Sequence, residues 1–165
     1  LHIRYGDITF HSDYLTINVV RSKTDQLRKG SQVVISESSN VATCPVNHFR
    51  RYLREVEKFP VEADHYVFRA LYKFKLGHSL VSVNKPLSCS CIRDYFKSSF
   101  KDIVPDISLL STHSLRAGGA SAAANAGVPD RVFQRHGRWR SVSIKNGYVD
   151  DSLSTRLSVS KKLGI

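Results

Sequence analysis

The pattern of apolar residues changes once along the chain, and this change constrains the fold more than any other feature of the sequence. Up to residue 43, β-branched and aromatic residues alternate with polar ones in three segments, 6–10, 14–20 and 31–36. Such alternation is typical of strands. Beyond residue 43, apolar residues mostly follow helical spacing. We therefore predict a mainly α protein with a small antiparallel β-meander at its front edge, an α+β fold.

A polar connector joins the second and third predicted strands. Residues 21–30 include four cations and end in Gly30, which favours a hairpin loop that projects from the sheet. Lys23 stands where this loop begins. We treat 1–165 as part of one domain, with the β-meander over 1–43 and a helical part over 44–165.

Helix signals recur through the second part. Pro45 suits a first helical turn, Ser88 and either Ser111 or Thr112 suit N-caps, and Gly127 suits a helix stop. Residues 66–86 show no clear period, and we interpret them as irregular. The predicted helices cover residues 45–59, 88–103, 113–126, 129–137 and 141–148, with a final one from Ser152.

The net charge of the chain indicates what kind of molecule it binds. The chain has 25 Lys and Arg against 14 Asp and Glu, so its net charge is 25 − 14 = +11, which favours polyanions and nucleic acid first among them. Three cysteines, Cys44, Cys89 and Cys91, lack the paired spacing of a zinc site or a disulfide scaffold. We expect an intracellular, reducing compartment, no metal and, because no apolar run approaches about 20 residues, no membrane span.

The last third holds the residues that suggest chemistry. His113-Ser-Leu-Arg116 places two phosphate-competent side chains on one helix face, near the helix start, where the dipole attracts anions. Alone, this pair is better explained by a core histidine and a surface arginine. Two further segments follow it, Arg138-Trp-Arg-Ser141 and Gly147-Tyr-Val149.

Together these segments resemble the tyrosine recombinase (phage-integrase) family. The run 112–128 resembles its second catalytic box, His-x-x-Arg followed by a small-residue helix and an Ala-Gly-Val stop. In that family a His or Trp precedes the nucleophilic tyrosine by nine residues, and here 148 − 139 = 9. Trp139 therefore matches that position, rather than His136. The segment 21–24 resembles the family's hairpin lysine, which corresponds here to Lys23.

The resemblance also implies something about the chain's start. Residues 3–8 look like the segment after the family's first arginine box, which would lie upstream of Leu1. We therefore expect an N-terminally truncated catalytic domain that is inactive by itself. The C-terminal boxes look most like eukaryotic mobile-element recombinases of the DIRS or Crypton type, which would imply the nucleus.

The family's reaction implies a role for each matched residue. Tyr148 attacks a DNA phosphodiester and forms a 3′-phosphotyrosine, Arg116 stabilises the transition state, and Lys23 protonates the leaving 5′-oxygen. His113 either helps to deprotonate the tyrosine or holds a phosphate oxygen, and Trp139 donates its indole N–H to phosphate. No cofactor is implied. The expected partner is double-stranded DNA, bound by a homo-oligomer, with further contacts from Arg28, Lys29, Arg135, His136, Arg138 and Arg140.

Other readings of the sequence stay open. A truncated or domesticated recombinase would bind DNA without cutting it, and a type IB topoisomerase would use similar chemistry to relax supercoils. A basic structural or ribosomal protein would explain the charge but not the register of the boxes. Lys23 itself is either the general acid or a contact to the DNA backbone, a role open to Arg28 and Lys29 as well.

Overall fold

The computed structural model describes residues 2–20, 30–56 and 61–164, and the chain divides into two compact units, 1–88 and 89–165. The predicted boundary at residue 43 separated strands from helices. The first compact unit instead contains the sheet, a helix and a second hairpin. The predicted loop with Lys23, Arg28 and Lys29 lies outside the described residues.

The predicted meander is confirmed in the first unit. Strands β1 (Ile8–Phe10), β2 (Tyr14–Val19) and β3 (Ser31–Ser36) form an antiparallel sheet in the order β1-β2-β3. The first strand begins later than predicted, because Tyr5–Asp7 form a 3₁₀ turn. The backbone N–H of Arg4 donates to the Asp7 carboxylate at 2.8 Å and closes that turn.

Helix α1 (Pro45–Val56) packs on the sheet, and its first turn is organised by a buried cysteine. The Cys44 sulfur accepts backbone N–H bonds from Ser38 (3.2 Å) and Asn47 (3.4 Å). The Ser38 amide lowers the pKa of this thiol, since it stabilises the thiolate. The core around it contains Leu15 and Val46, with Ile17, Ile35 and Phe49 packed against them.

Residues 66–86 are not irregular throughout, as we had predicted. Strands β4 (Leu71–Phe74) and β5 (Gly77–Leu80) form a second antiparallel hairpin. Every residue of β4 is exposed, so neither face of the strand packs against a core that would require apolar side chains. The alternation that identifies a half-buried strand is therefore absent from its sequence.

One tyrosine ties α1 to the segment before this hairpin. The Tyr52 hydroxyl donates to the Val67 carbonyl at 2.7 Å. Burial, with a smaller contribution from Tyr5, raises the pKa of Tyr52 to about 12, although Arg69 acts in the opposite direction. Neutral Tyr52 is therefore the form that the fold stabilises.

The second unit is helical, as predicted. Helix α2 (Cys89–Phe100) ends three residues before the predicted end, and α5 (Val142–Asn146) ends before Tyr148, which therefore lies beyond the helix that we expected to carry it. The backbone N–H of Gly147 caps that helix by donating to carbonyls of α5. The helices are α2 (Cys89–Phe100), α3 (Thr112–Asn125), α4 (Asp130–His136), α5 (Val142–Asn146) and α6 (Leu153–Leu163).

Three serines fix the starts of these helices. The hydroxyls of Ser111, Ser141 and Ser152 each accept a backbone N–H from the first turn of α3, α5 and α6, at 3.2 Å in each case. Gly127, with φ of +75°, follows the end of α3, a left-handed conformation that suits glycine. None of the described helices combines the length and apolar character that a bilayer span requires.

Candidate active site

The N-terminal turn of α3 and the segment after α5 bring a histidine and a tyrosine together. The Tyr148 hydroxyl oxygen lies 3.4 Å from Nδ1 of His113, and the rings stack with centroids 6.4 Å apart and 15° between their planes. His113 is exposed and Tyr148 is half-buried. A nucleophile and a base at this separation are close enough to exchange a proton after a small movement.

Arg116 lies on the same helix face as His113, one turn further on. Its guanidinium carbon lies 4.6 Å from the centroid of the Trp139 ring and 5.7 Å from that of Tyr148. Its Nη2 donates to the Gly137 carbonyl. Two ring faces and a carbonyl thus hold an exposed cation beside the tyrosine, which is the preorganisation that an oxyanion needs.

Trp139 is the aromatic wall of this cluster. Its ring packs edge-on against Phe133 (6.2 Å) and tilted against Tyr148 (5.8 Å). The ring also covers Gly137 so closely that a Cβ there would lie 1.8 Å from Cζ3 of the indole. A glycine is therefore required at position 137, because the Trp139 ring lies too close to its Cα for a side chain to fit. The indole Nε1 is buried and has no acceptor among the described residues.

The backbone around Tyr148 is anchored to α3 by two polar residues that the sequence interpretation missed. The Ser121 hydroxyl donates to the Tyr148 carbonyl at 3.3 Å and accepts the Asp150 N–H at 2.8 Å. Asn125 donates to the Asp150 carbonyl at 3.0 Å and accepts the Ser152 N–H at 2.9 Å. Their four-residue spacing among alanines and glycines was an available signal, since it places both on one helix face.

An ion pair between a buried lysine and an exposed aspartate connects α5 to α4. The Lys145 ammonium lies 2.7 Å from the Asp130 carboxylate and 4.4 Å from the centroid of the Phe133 ring. The lysine side chain is 2% exposed and that of Asp130 68%. The pair sets the position of α5, and hence of Tyr148 two residues beyond its end. Nothing in the sequence distinguished this lysine from a surface one.

Arg138 has a backbone conformation that costs energy. Its φ is +56°, a left-handed value that costs a residue with a Cβ about 1–2 kcal/mol. It is half-buried, whereas Arg135, His136 and Arg140 around it are exposed. All four had been predicted to contact DNA.

A comparison with family models finds no match. A search of curated proteins finds an integrase/recombinase XerD homologue of Selenomonas ruminantium, 27% identical over 152 residues, which cover 91% of this chain and 41% of the relative.

The chain is also similar in fold to several solved structures. XerA recombinase superposes with a TM-score of 0.67 at 16% identity over 98% of this chain and 50% of its own. XerH recombinase, bound to its palindromic difH substrate in a post-cleavage complex, superposes at 0.63 with 15% identity, over 99% of this chain and 40% of its own. The Tn1549 transposon integrase, in complex with transposon right-end DNA, superposes with a TM-score of 0.56 at 12% identity, over 99% of this chain and 53% of its own.

In sequence and in fold, the chain resembles the tyrosine recombinase family. It has the catalytic-domain fold of that family, as predicted, and spans about half the length or less of the relatives named above. The curated relative is bacterial and lends no support to the narrower expectation of a DIRS- or Crypton-type element.

Four of the five residues that the family resemblance singled out lie together in the second unit of this chain: His113, Arg116, Trp139 and Tyr148. The fifth, Lys23, lies outside the described residues. In the first unit, Arg4 donates to the Asp64 carbonyl at 2.7 Å and its guanidinium lies over the Tyr66 ring, 4.6 Å from the centroid.

One group of side chains outside this cluster has the composition of a metal site. Ligand atoms of Glu62, Asp64 and His65 lie within 4.8 Å of one another in a loop of the first unit. Nδ1 of His65 already accepts the Glu62 N–H at 3.3 Å. This arrangement is a hydrogen-bonded turn, and no step of the proposed chemistry involves it.

Proposed function

We propose that this chain is the catalytic part of a site-specific DNA recombinase that cleaves and rejoins strands through a 3′-phosphotyrosine. The observation that carries the proposal is the Tyr148 hydroxyl beside His113, with the guanidinium of Arg116 over the Tyr148 ring. A nucleophile, a proton acceptor and an anion-stabilising cation within one cluster are the parts that phosphoryl transfer requires.

The cleavage step begins at Tyr148. Its oxygen attacks the scissile phosphorus, a Tyr–O–P bond forms, and the bond from phosphorus to the 5′-oxygen breaks. His113 takes the phenolic proton in this scheme, because its Nδ1 faces the hydroxyl. The leaving 5′-oxygen takes a proton from Lys23, the role that the family resemblance gives to that residue.

Arg116 and Trp139 serve the phosphate in this proposal. The guanidinium can hold two non-bridging oxygens at once, and its contacts with Trp139 and the Gly137 carbonyl keep it in place before DNA arrives. The indole N–H of Trp139, a donor that lacks an acceptor among the described residues, supplies a further hydrogen bond.

The partner in this proposal is double-stranded DNA, bound by an oligomer of the chain. The net charge of +11 supports a polyanionic partner, and two of the structural relatives were solved with DNA. The exposed side chains of Arg135, His136 and Arg140 next to the cluster are candidate backbone contacts, as are Arg28 and Lys29. Such contacts weaken as salt rises.

The test is covalent capture. The intact protein is incubated with a library of duplexes that carry degenerate sequence and a nick, so that the released strand diffuses away and the adduct accumulates. We expect a denaturation-resistant adduct, with Tyr148 as the modified residue by mass spectrometry. Tyr95→Phe, which removes an exposed hydroxyl in α2, is the matched control and keeps the adduct.

The alternatives give different results in the same assay. Salt-sensitive DNA retention without an adduct would identify a binding module. An adduct that leads to relaxation of supercoiled plasmid, with no joining to a second duplex, would identify a topoisomerase. Transfer of the bound strand to a partner duplex is the outcome that a recombinase gives.

A further inference from the structure

Arg138 combines two unfavourable features that the fold itself does not explain. Among the described residues it is the only one other than glycine with a positive φ. A glycine would adopt that conformation without strain. Strained backbone of this kind persists where the surroundings impose it, and it concentrates at functional sites.

The side chain adds the second unfavourable feature. Nη1 of Arg138 is buried and has no hydrogen-bond acceptor among the described residues. A buried donor on a charged group loses its water without compensation, which is among the least favourable arrangements for a polar atom in a protein. A purely structural arginine would be expected to satisfy this nitrogen.

The neighbours of Arg138 place it in the candidate site. The residue before it, Gly137, gives its carbonyl to Arg116. The residue after it, Trp139, contacts both Arg116 and Tyr148. Nε1 of Trp139 is a second buried donor that lacks an acceptor in the described part of the chain. Two adjacent residues thus hold unused donors, and one of them, Trp139, contacts the cation over the tyrosine ring.

We propose that Arg138 is a further catalytic residue, a second guanidinium that binds the scissile phosphate together with Arg116 and the Trp139 indole. The ligand class is a phosphodiester or, in its simplest form, inorganic phosphate. The inference rests on the proposed function and extends it. A rotation of the half-buried side chain brings its free donor to the entering phosphate oxygen, where a charge-assisted hydrogen bond replaces the water lost on burial.

The experiment uses the chain's single tryptophan, Trp139, as the reporter. Its fluorescence is followed while inorganic phosphate is titrated against chloride at constant ionic strength. The matched variants are Arg138→Gly, Arg138→Lys and Arg156→Ala, the last of which removes one exposed charge from α6. Thermal unfolding of each variant is measured alongside.

Arg138→Gly separates function from structure, because a glycine relieves the strained backbone. We expect phosphate affinity to fall at least about fivefold, while the melting temperature stays the same or rises by about 2–4 °C. Arg138→Lys, which keeps the charge and the Cβ, should retain part of the affinity and melt no higher than the wild type. Arg156→Ala should bind within about twofold of the wild type.

Two results would overturn the proposal. Unchanged phosphate affinity in Arg138→Gly would remove Arg138 from the site. A lower melting temperature in that variant, with affinity restored when the temperature is reduced, would make Arg138 a structural residue. Phosphate binding requires no nucleophile. Failure of the wild type to form a DNA adduct would therefore count against the proposed function and not against this binding site.

Discussion

The hydroxyl of Tyr148 lies 3.4 Å from Nδ1 of His113, although 35 residues separate them in sequence. This proximity depends on α3 at both ends. The first turn of α3 carries His113, and Ser121 and Asn125, further along the same helix, bind the backbone at and after Tyr148. The helix that presents the proton acceptor therefore also positions the nucleophile.

Removal of the Tyr148 hydroxyl should abolish the covalent DNA adduct and leave DNA affinity within about twofold. Only the nucleophilic oxygen is lost in Tyr148→Phe, while the ring keeps its contacts with Trp139 and Arg116. Capture on nicked duplexes measures the first quantity, and a salt titration of DNA binding measures the second. An adduct that persists in this variant would assign the nucleophile to another residue.

Replacement of His113 by alanine should slow cleavage by about 10²-fold or more, the usual contribution of a positioned proton acceptor. Because His113 is exposed, added imidazole can reach the space left beside Tyr148. We therefore expect imidazole to restore part of the single-turnover rate. A slow variant that imidazole does not rescue would indicate that His113 holds a phosphate oxygen instead, the second role that the sequence left open.

Arg116→Ala should lower the cleavage rate at least about 10²-fold, comparable to the loss of one preorganised oxyanion donor. Arg116→Lys should recover little of it, since an ammonium cannot hold two oxygens in one plane or stack on Trp139 as a guanidinium does. Single-turnover kinetics on a nicked substrate give both rates. A loss of less than about threefold in the alanine variant would mean that α3 does not face the scissile phosphate.

The cluster and the fold differ in how far the sequence predicts them. His113, Arg116, Trp139 and Tyr148 were identified because fixed spacings place motif residues in register, and the helix caps were identified because serine and glycine have local preferences. The burial of Lys145 is a long-range outcome of packing that no local pattern encodes. The β4–β5 hairpin was missed because its first strand is exposed on both faces.

Replacement of Asp130 and replacement of Lys145, the two partners of an ion pair, should lower the free energy of unfolding by different amounts. Asp130→Asn leaves a buried ammonium without its counter-charge, and we expect the free energy of unfolding to fall by about 1–3 kcal/mol. Lys145→Met leaves a carboxylate that is already largely exposed, and should cost less than about 1 kcal/mol. Urea denaturation of both variants tests this, and equal losses would show that burial of an ammonium without its counter-charge is not the dominant cost.

Lys23 can be tested as a general acid with a modified substrate. Sulfur in place of the bridging 5′-oxygen leaves as a thiolate and needs no proton. Lys23→Ala should therefore be slow on normal DNA and recover much of its rate on the sulfur substrate, whereas Lys29→Ala should be affected equally on both. Equal impairment of the Lys23 variant on the two substrates would assign it to contact with the DNA backbone.

Tyr52 should make the first unit sensitive to alkali. Its folded pKa is raised from 10 to about 12, mainly by burial, so the unfolded chain loses this proton more readily than the folded chain. The stabilisation is thus fully present below pH 10 and is lost as the pH rises from 10 towards 12.

Relative to wild type, Tyr52→Phe should lose less stability over that interval, although it starts lower because the hydrogen bond to Val67 is gone. Tyr72→Phe, which removes an exposed hydroxyl from β4, serves as the control and should follow the wild-type pH dependence. Chemical denaturation at pH 9, 10, 11 and 12 gives the slope of unfolding free energy against pH for each of the three proteins. Comparison of the slopes removes the contribution of the lysines, which titrate in all three. Parallel slopes for wild type and Tyr52→Phe would show that the tyrosine ionises as easily in the folded protein as in the unfolded one.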